Sequence, residues 1–530
     1  MKKMKMIMKM LVIFISLKYV NISWGQSVVY VGNGSYASYP KEADALNVAN
    51  HEVYVVDEKK NLPKPTNDWW TDLLWSQYFG DLWAHPLVFS GYEKGCRIYF
   101  PKKWSGDANG AGMDKGFPLE IWGDNFTAKD ARAKNWGDWT VQIAMYDNYN
   151  NGMDITIGHG LPYGWFEFRN NITPIIKSDW SVKYFTKENS TRKDYSTFFP
   201  YRGDNIIIEW TQGDEVKLFA IFAPPNTTFQ LKSGTMDQIQ VIFSSSAKYL
   251  IVTGAPNESS ITTLYNYAYS IPRDSKVTYQ YDRQAGKVNT QWTLTLENLK
   301  GGSGSTIQGW IPHHYRNTTH NLNFNGLEYL TARGKLKCAT VSSWSISWKF
   351  NGIIPILPKP ELMGINNDYD EARMAQYIKD YDRVYSGYGD DLYWGGKELH
   401  RYGFYMLLAY QLGLTNTAKS LQNKLRVALE DWLTYNPSEQ YHYYAAYPIP
   451  APNGKQGWGG VVPFVAGWAI YFTDHHLCLG YHYSAAAYLG MVDKDFLNKY
   501  KDILIFITKE TANWDRNDNF FPFMRCFDIW

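Results

Sequence analysis

Cysteine is scarce in this sequence: Cys96, Cys338, Cys478 and Cys526 are the only four in 530 residues, and they lie far apart. No CxxC pair occurs, which excludes a zinc ribbon and a thioredoxin-type redox motif. A disulfide framework is not expected, because a chain of this length buries enough core without one. Net charge is nearly absent as well: 53 Lys plus Arg against 51 Asp plus Glu leave +2. Nothing in that balance points to nucleic acid or an anionic membrane as partner. Past the first residues no apolar run is long enough to span a bilayer. The patterns G-x-x-x-x-G-K-S/T, G-x-S-x-G and H-E-x-x-H are missing, so a phosphate loop, a nucleophile elbow and a zincin helix are excluded.

What is present is aromatic. Trp, Tyr and Phe make up 17% of the chain, with 22 Trp and 41 Tyr against 26 Phe. Tyr and Trp join a flat apolar face to a polar tip, which suits stacking on hydroxyl-rich ligands such as sugars. Packing between β-strands accounts for such an excess equally well. Apolar residues at 45% and charged residues at 20% describe a globular chain. At about 150 residues per domain the length predicts three to four domains.

The N-terminus reads as a secretory signal. Lys2, Lys3, Lys5 and Lys9 precede a short apolar core at 10–17, and Ser23-Trp24-Gly25 before Gln26 offers a cleavage site. Lys18 cuts the core too short for a membrane span. The mature chain is therefore expected outside the cytoplasm, with no membrane partner once residues 1–25 are removed.

Residues 26–260 predict a β-sandwich domain. The short β-branched run Val53-Tyr54-Val55-Val56 is followed by others at 154–157, 205–210 and 238–244, separated by Gly, Asn or Asp turns such as 148–152 and Gly213-Asp214. Residues 261–360 read as a small α/β connector, with a helix at 261–269, strands at 276–281 and 291–296, and a Gly/Ser loop at 300–305. Pro355, Pro358 and Pro360 mark its end. Beyond them the pattern turns helical, with helices expected at 398–412, 418–432, 474–490 and 496–511 and Gly413 as a cap.

Two segments stand out for chemistry. Tyr471-Phe472-Thr473-Asp474-His475-His476 opens a helix, with Asp474, Cys478 and Tyr481 on one face and His475, Leu479 and His482 on the next. Two readings compete there: an N-cap with interior histidines, and a metal site. The adjacent histidines point apart and no zinc spacing is present, which disfavours metal. The second segment, residues 385–398, combines Tyr388, Asp390, Asp391, Trp394 and four glycines before a helix. It suits either a sugar-lined cleft or a turn capped by Asp390 or Asp391. Thr66-Asn67-Asp68-Trp69-Trp70 reads as packing between domains.

Taken in order, Pro65 to Trp70, Gly395-Gly396-Lys397-Glu398-Leu399, Trp458-Gly459-Gly460, Tyr471 to His476 with Gly480-Tyr481 and Ala485-Ala486-Ala487, and Phe521 to Asp528 resemble glycoside hydrolase family 81, the inverting endo-β-1,3-glucanases. The resemblance implies a multidomain β plus α protein: an N-terminal β-sandwich, a small α/β connector and a C-terminal (α/α)6 barrel, here a partial one over 361–530. It implies hydrolysis of β-1,3-glucan, no cofactor and no metal. It places the general acid at Asp474, and Tyr388, Trp394, Tyr471, His475 and His476 are expected to line the substrate cleft. Thr473 and Cys478 depart from the family's Asn and His at those positions. The family's base lies in a Glu-rich segment that follows a Gly-His-Ser-Trp stretch, and neither occurs before Trp530. Glu510, Asp515, Asp518 and Asp528 are the late carboxylates, and none sits in that motif. The chain is thus expected to lack the base and to hydrolyse little by itself. A glucan-binding protein without turnover is the alternative. A polysaccharide lyase is a further rival, to which the near-neutral charge gives no support.

Overall fold

The computed structural model of the chain describes residues 27–40, 52–65, 69–107, 110–179, 181–301, 304–354, 369–384, 389, 391–447, 458–464 and 475–524. These fall into two compact units. One is built from Glu52–Pro355 together with the end of the chain from Met524, the other from the N-terminal residues to His51 with Ile356–Phe523. No helix among the described residues is long and apolar enough to cross a membrane.

The first unit is β-rich, as the alternating pattern predicts. Fifteen of its strands join in one antiparallel sheet. The expected turn at Gly213-Asp214 links Tyr201–Gln212 to Glu215–Leu231, with Gln212 opposite Glu215 and Gly213 at φ +56°. A two-residue hairpin needs such left-handed backbone, which glycine supplies without a Cβ clash. Strands Gly152–Gly158 and Tyr249–Ala255 are buried along their whole length, so both faces of the sheet are covered there. The predicted helix is present at Ile261–Ala268 and forms part of that cover. Its last turns accept hydrogen bonds from the Tyr163 hydroxyl (2.8 Å, to Leu264) and the Trp165 indole (2.7 Å, to Ala268).

The expected strands at 276–281 and 291–296 lie inside a longer hairpin, Ser270–Asp282 with Lys287–Asn298. Trp139, Trp292, Trp310 and Trp344 nest with ring centroids 5.1–5.9 Å apart. Much of the tryptophan excess is therefore strand packing. Trp69 and Trp70 are buried, Trp70 against Trp136 at 6.2 Å, in keeping with a packing role. One expectation fails. Residues 53–56 make no strand; Val55 forms a lone bridge to Ala133 before a short 3-10 turn at Asp57–Lys59. β-branched residues favour a strand only where a neighbouring strand pairs with them along its length.

The second unit holds five helices longer than one turn among its described residues: α1 (Glu371–Val384), α2 (Leu392–Gln411), α3 (Thr415–Trp432), α4 (His475–Val492) and α5 (Lys494–Ala512). Gly413 ends α2 at φ +71°, and the Leu414 N–H reaches back to the Ala409 carbonyl at 2.9 Å, the six-residue closure of a glycine-terminated helix. α2 begins at Leu392, ahead of its expected start at 398. The strands Val28–Val31 and Gly34–Ala37 also belong here, through the parallel pairing of Ala37 with Ala445 in Tyr443–Ala446, which in turn pairs with Val461–Phe464. Gly34 explains the placement, since a Cβ there would stand 2.4 Å from the Ile503 side chain of α5.

His482 of α4 is buried against the Trp432 ring, with Nδ1 at 3.3 Å from the Tyr444 hydroxyl. Burial, aided by nearby His442, drives its pKa down to about 3. The unfolded chain binds a proton there below about pH 6.5 that the fold excludes, so stability is full above that pH and falls as pH drops toward about 3. His482→Phe keeps a flat ring and removes the titration. Its urea midpoint should drop less than wild type between about pH 7 and about pH 5; an equal drop rules this origin out.

Candidate active site

The site is built on two helix starts. Asp391 caps α2: its carboxylate accepts from the Tyr393 and Trp394 N–H groups at 2.9 and 2.7 Å. The cap reading of this segment is thus correct for Asp391, and it also fixes the first turn. Trp394 in that turn is 63% exposed, and the Lys397 ammonium lies over the Tyr393 and Trp394 rings at 3.8 and 4.7 Å. An exposed indole pinned at a helix start is a ready platform for a sugar face. Glu398 is occupied: it accepts from the Tyr381 hydroxyl (3.0 Å) and pairs with Arg401 (2.6 Å).

α2 and α4 pack closely and in parallel. Gly396 faces Tyr481 and His482, the His400 imidazole meets the Ser484 hydroxyl at 2.8 Å, and Gly403 faces Tyr488. Residue numbers rise together along both helices, so both N-termini lie at one end. A Cβ on Gly403 would come within 2.8 Å of the Tyr488 ring. These glycines hold the helix axes near each other. The first turn of α4, with His475 and His476, therefore sits at the same end as Trp394.

α5 runs back along α4. The Tyr483 hydroxyl donates to the Ile507 carbonyl at 2.9 Å. At its last turn Glu510 is fully buried, with Oε1 at 3.1 Å from His475 Nε2 and Oε2 accepting the Val461 N–H at 3.0 Å. Gly460, at φ +94°, makes room: a Cβ there would stand 2.0 Å from Oε2. Its neighbour Gly459 donates to the Tyr447 carbonyl at 2.9 Å, which fastens the turn to the adjoining strand. The glycine pair after Trp458 thus serves a buried carboxylate. A carboxylate with this seal cannot activate a bulk water, which removes Glu510 as a hydrolytic base.

Of the sequence-predicted site residues, Trp394, His475 and His476 lie at this same end of the helix pair; the two histidine rings are 5.5 Å apart. Asp474, Tyr471 and Tyr388 lie outside the described residues, as do Cys526 and Asp528. Cys96, Cys338 and Cys478 are buried. Glu510 is the site residue that sequence reasoning passed over. Its signal was available: Phe496, Tyr500, Ile503 and Ile507 form the buried stripe of α5, and Glu510 continues the same spacing.

The helical unit carries an exposed tryptophan and a histidine held by a buried glutamate at one end, and the comparisons supply the likeness. Residues 374–530 match the glycosyl hydrolase family 81 C-terminal domain. The chain is 26% identical over 478 residues to a glucan endo-1,3-beta-D-glucosidase of Acetivibrio thermocellus, covering 88% of this chain and 56% of that protein. A glucan endo-1,3-beta-D-glucosidase of Thermobifida fusca is 26% identical over 522 residues, covering 94% of this chain and 63% of that protein. A solved mutant of the glycoside hydrolase family 81 protein CtLam81A from Clostridium thermocellum superposes with a TM-score of 0.76 at 25% identity, covering 95% of this chain and 66% of that one. The resemblance to glycoside hydrolase family 81 is borne out. The chain spans less than two thirds of the length of either curated relative.

Gly460→Ala tests the geometry. Left-handed backbone costs a non-glycine residue about 1–2 kcal/mol, and the added methyl collides with a buried carboxylate at a further cost of about 1–3 kcal/mol. A loss of roughly 2–5 kcal/mol in urea unfolding of the helical unit is expected; a change under about 0.5 kcal/mol contradicts the arrangement.

Proposed function

We propose that this chain binds β-1,3-glucan and takes part in its endo-acting hydrolysis with inversion, with Asp474 as the general acid. The observation that carries this is the placement of Trp394, His475 and His476 at one end of the parallel helices α2 and α4, within the region matched by the family 81 domain. Asp474 is joined directly to His475 in the sequence. Tyr388 and Tyr471 complete the cleft in this reading. Asp474 protonates the departing glycosidic oxygen while a water attacks the anomeric carbon from the opposite face. That water needs a second carboxylate about 6.5–9.5 Å from the first. The late carboxylates among the described residues are engaged otherwise. Glu510 is sealed, Asp518 accepts from the Phe520 and Phe521 N–H groups and pairs with Lys509, and Asp515 closes a turn on Asn517. The base is left unassigned among them.

In this reading the large sheet is the family's β-sandwich, residues 261–360 its α/β connector, and the helices part of its (α/α)6 barrel. Antiparallel neighbours α4 and α5 beside the parallel pair α2 and α4 support the barrel. The basic, short-cored N-terminus supports export.

The purified chain is expected to bind laminarihexaose, and Trp394→Ala to weaken binding roughly five- to tenfold, the loss of about 1 kcal/mol of stacking. Failure to bind, with binding to a β-1,4-glucan instead, would displace the substrate class. Laminarihexaose cleavage is read with and without azide, a small anion that attacks the anomeric carbon without a base and forms an α-glycosyl azide. Asp474→Asn should cut either rate by about 10²–10⁴ and leave binding intact. Binding without cleavage under both conditions selects the non-catalytic alternative.

A further inference from the structure

We propose that Glu510 is a positioning residue: through His475 it fixes the helix turn next to the general acid. The proposal rests on the reading of Asp474 as that acid.

Glu510 occupies a position where a leucine would pack as part of the α5 stripe. A buried carboxylate there is costly unless its oxygens are satisfied, and replacing such a group by an apolar one often stabilises a fold. A leucine there would fill the stripe but leave the Val461 N–H without this acceptor, so the glutamate does more than pack. The two oxygens divide their work. Oε2 takes the Val461 N–H and is anchored to the strand Val461–Phe464. Oε1 lies at 3.1 Å from His475 Nε2, the first residue of α4. Gly460 vacates the space that the first contact needs, and Phe496, Tyr500, Ile503 and Ile507 hold the α5 face against the core. The carboxylate thus spans from a strand to the start of α4 and holds the His475 ring from its outer nitrogen.

His475 is bonded to Asp474, so the ring's position limits the backbone on which the acid rides. Misplacement by about 1 Å can cost a catalytic group on the order of 10² in rate. The seal that disqualifies Glu510 as a base suits it as an anchor. Water cannot compete for its oxygens, and in this low-polarity setting each hydrogen bond is stronger than at the surface.

Glu510→Gln keeps the shape and removes the charge. In the 530-residue chain with isotope-labelled histidine, wild type should show a slowly exchanging, downfield Nε2–H proton, assigned by its loss in His475→Gln. Glu510→Gln should lose that signal. Laminarihexaose binding should stay within about twofold while the saturated cleavage rate, with azide where needed, falls at least about tenfold. In the His475→Gln background the same substitution should change the rate by less than about twofold. Absence of the wild-type signal, its persistence in Glu510→Gln, or an undiminished rate loss in the His475→Gln background each overturns the proposal. The wild-type signal needs no variant to fold beyond its assignment. A wild-type chain that does not bind laminarihexaose overturns the glucan reading instead, and the proton signal still decides whether the clamp exists.

Discussion

The helical unit depends on the close, parallel approach of α2 and α4. Gly396 and Gly403 present no Cβ to Tyr481 and Tyr488, so the two backbones approach more nearly than larger residues would permit. Because the helices run the same way, their N-termini share an end, and every residue singled out at the site follows from that direction. Had they packed antiparallel, Trp394 and His475 would stand apart by the length of a helix of 18–20 residues, about 1.5 Å for each residue.

Around that pair the unit is tied by polar contacts placed where the helices would otherwise slide. Tyr410 donates to Gln422 at 2.6 Å between α2 and α3, and Asp382 of α1 accepts from Ser420 and Lys424 of α3. Asp493 caps α5 and also takes Arg426 and Gln422 from α3. Burial raises its pKa, but the Phe496 N–H, Gln422 and Arg426 outweigh that and hold it below the usual carboxylate range. The β unit solves a different problem. Two of its strands are buried on both faces, and Trp139, Trp292, Trp310 and Trp344 nest together, so part of the aromatic content there reports packing.

Helix existence was legible because period and punctuation agree. Gly413 ended α2 where the sequence put it, and the helices expected at 418–432, 474–490 and 496–511 appear within three residues at each end. The start of α2 was not legible: Gly395 and Gly396 look like a loop by propensity. Asp391 satisfies the first N–H groups and Tyr481 covers Gly396, so packing overrides the local cost of glycine. Residues 53–56 erred the other way, with strand propensity but only a single bridge, Val55 to Ala133, to the strand beside them. The first two strands show the same limit. Nothing in Val28–Val31 or Gly34–Ala37 says which sheet they join, since a partner at Tyr443–Ala446 is some four hundred residues away.

The sequence by itself determined the class of each half, the glycine that ends α2 and the likeness to glycoside hydrolase family 81, because periodicity, turn residues and ordered motifs are local properties. It also placed Trp394, His475 and His476 among the residues of interest. The tertiary structure decided that these three share one end of a parallel helix pair. It decided too that Glu510, an acid on an apolar stripe, meets His475 across 35 residues and the Val461 N–H across 49. Such pairings are set by which faces pack together, and a buried charge finds its partner only once the faces around it have closed.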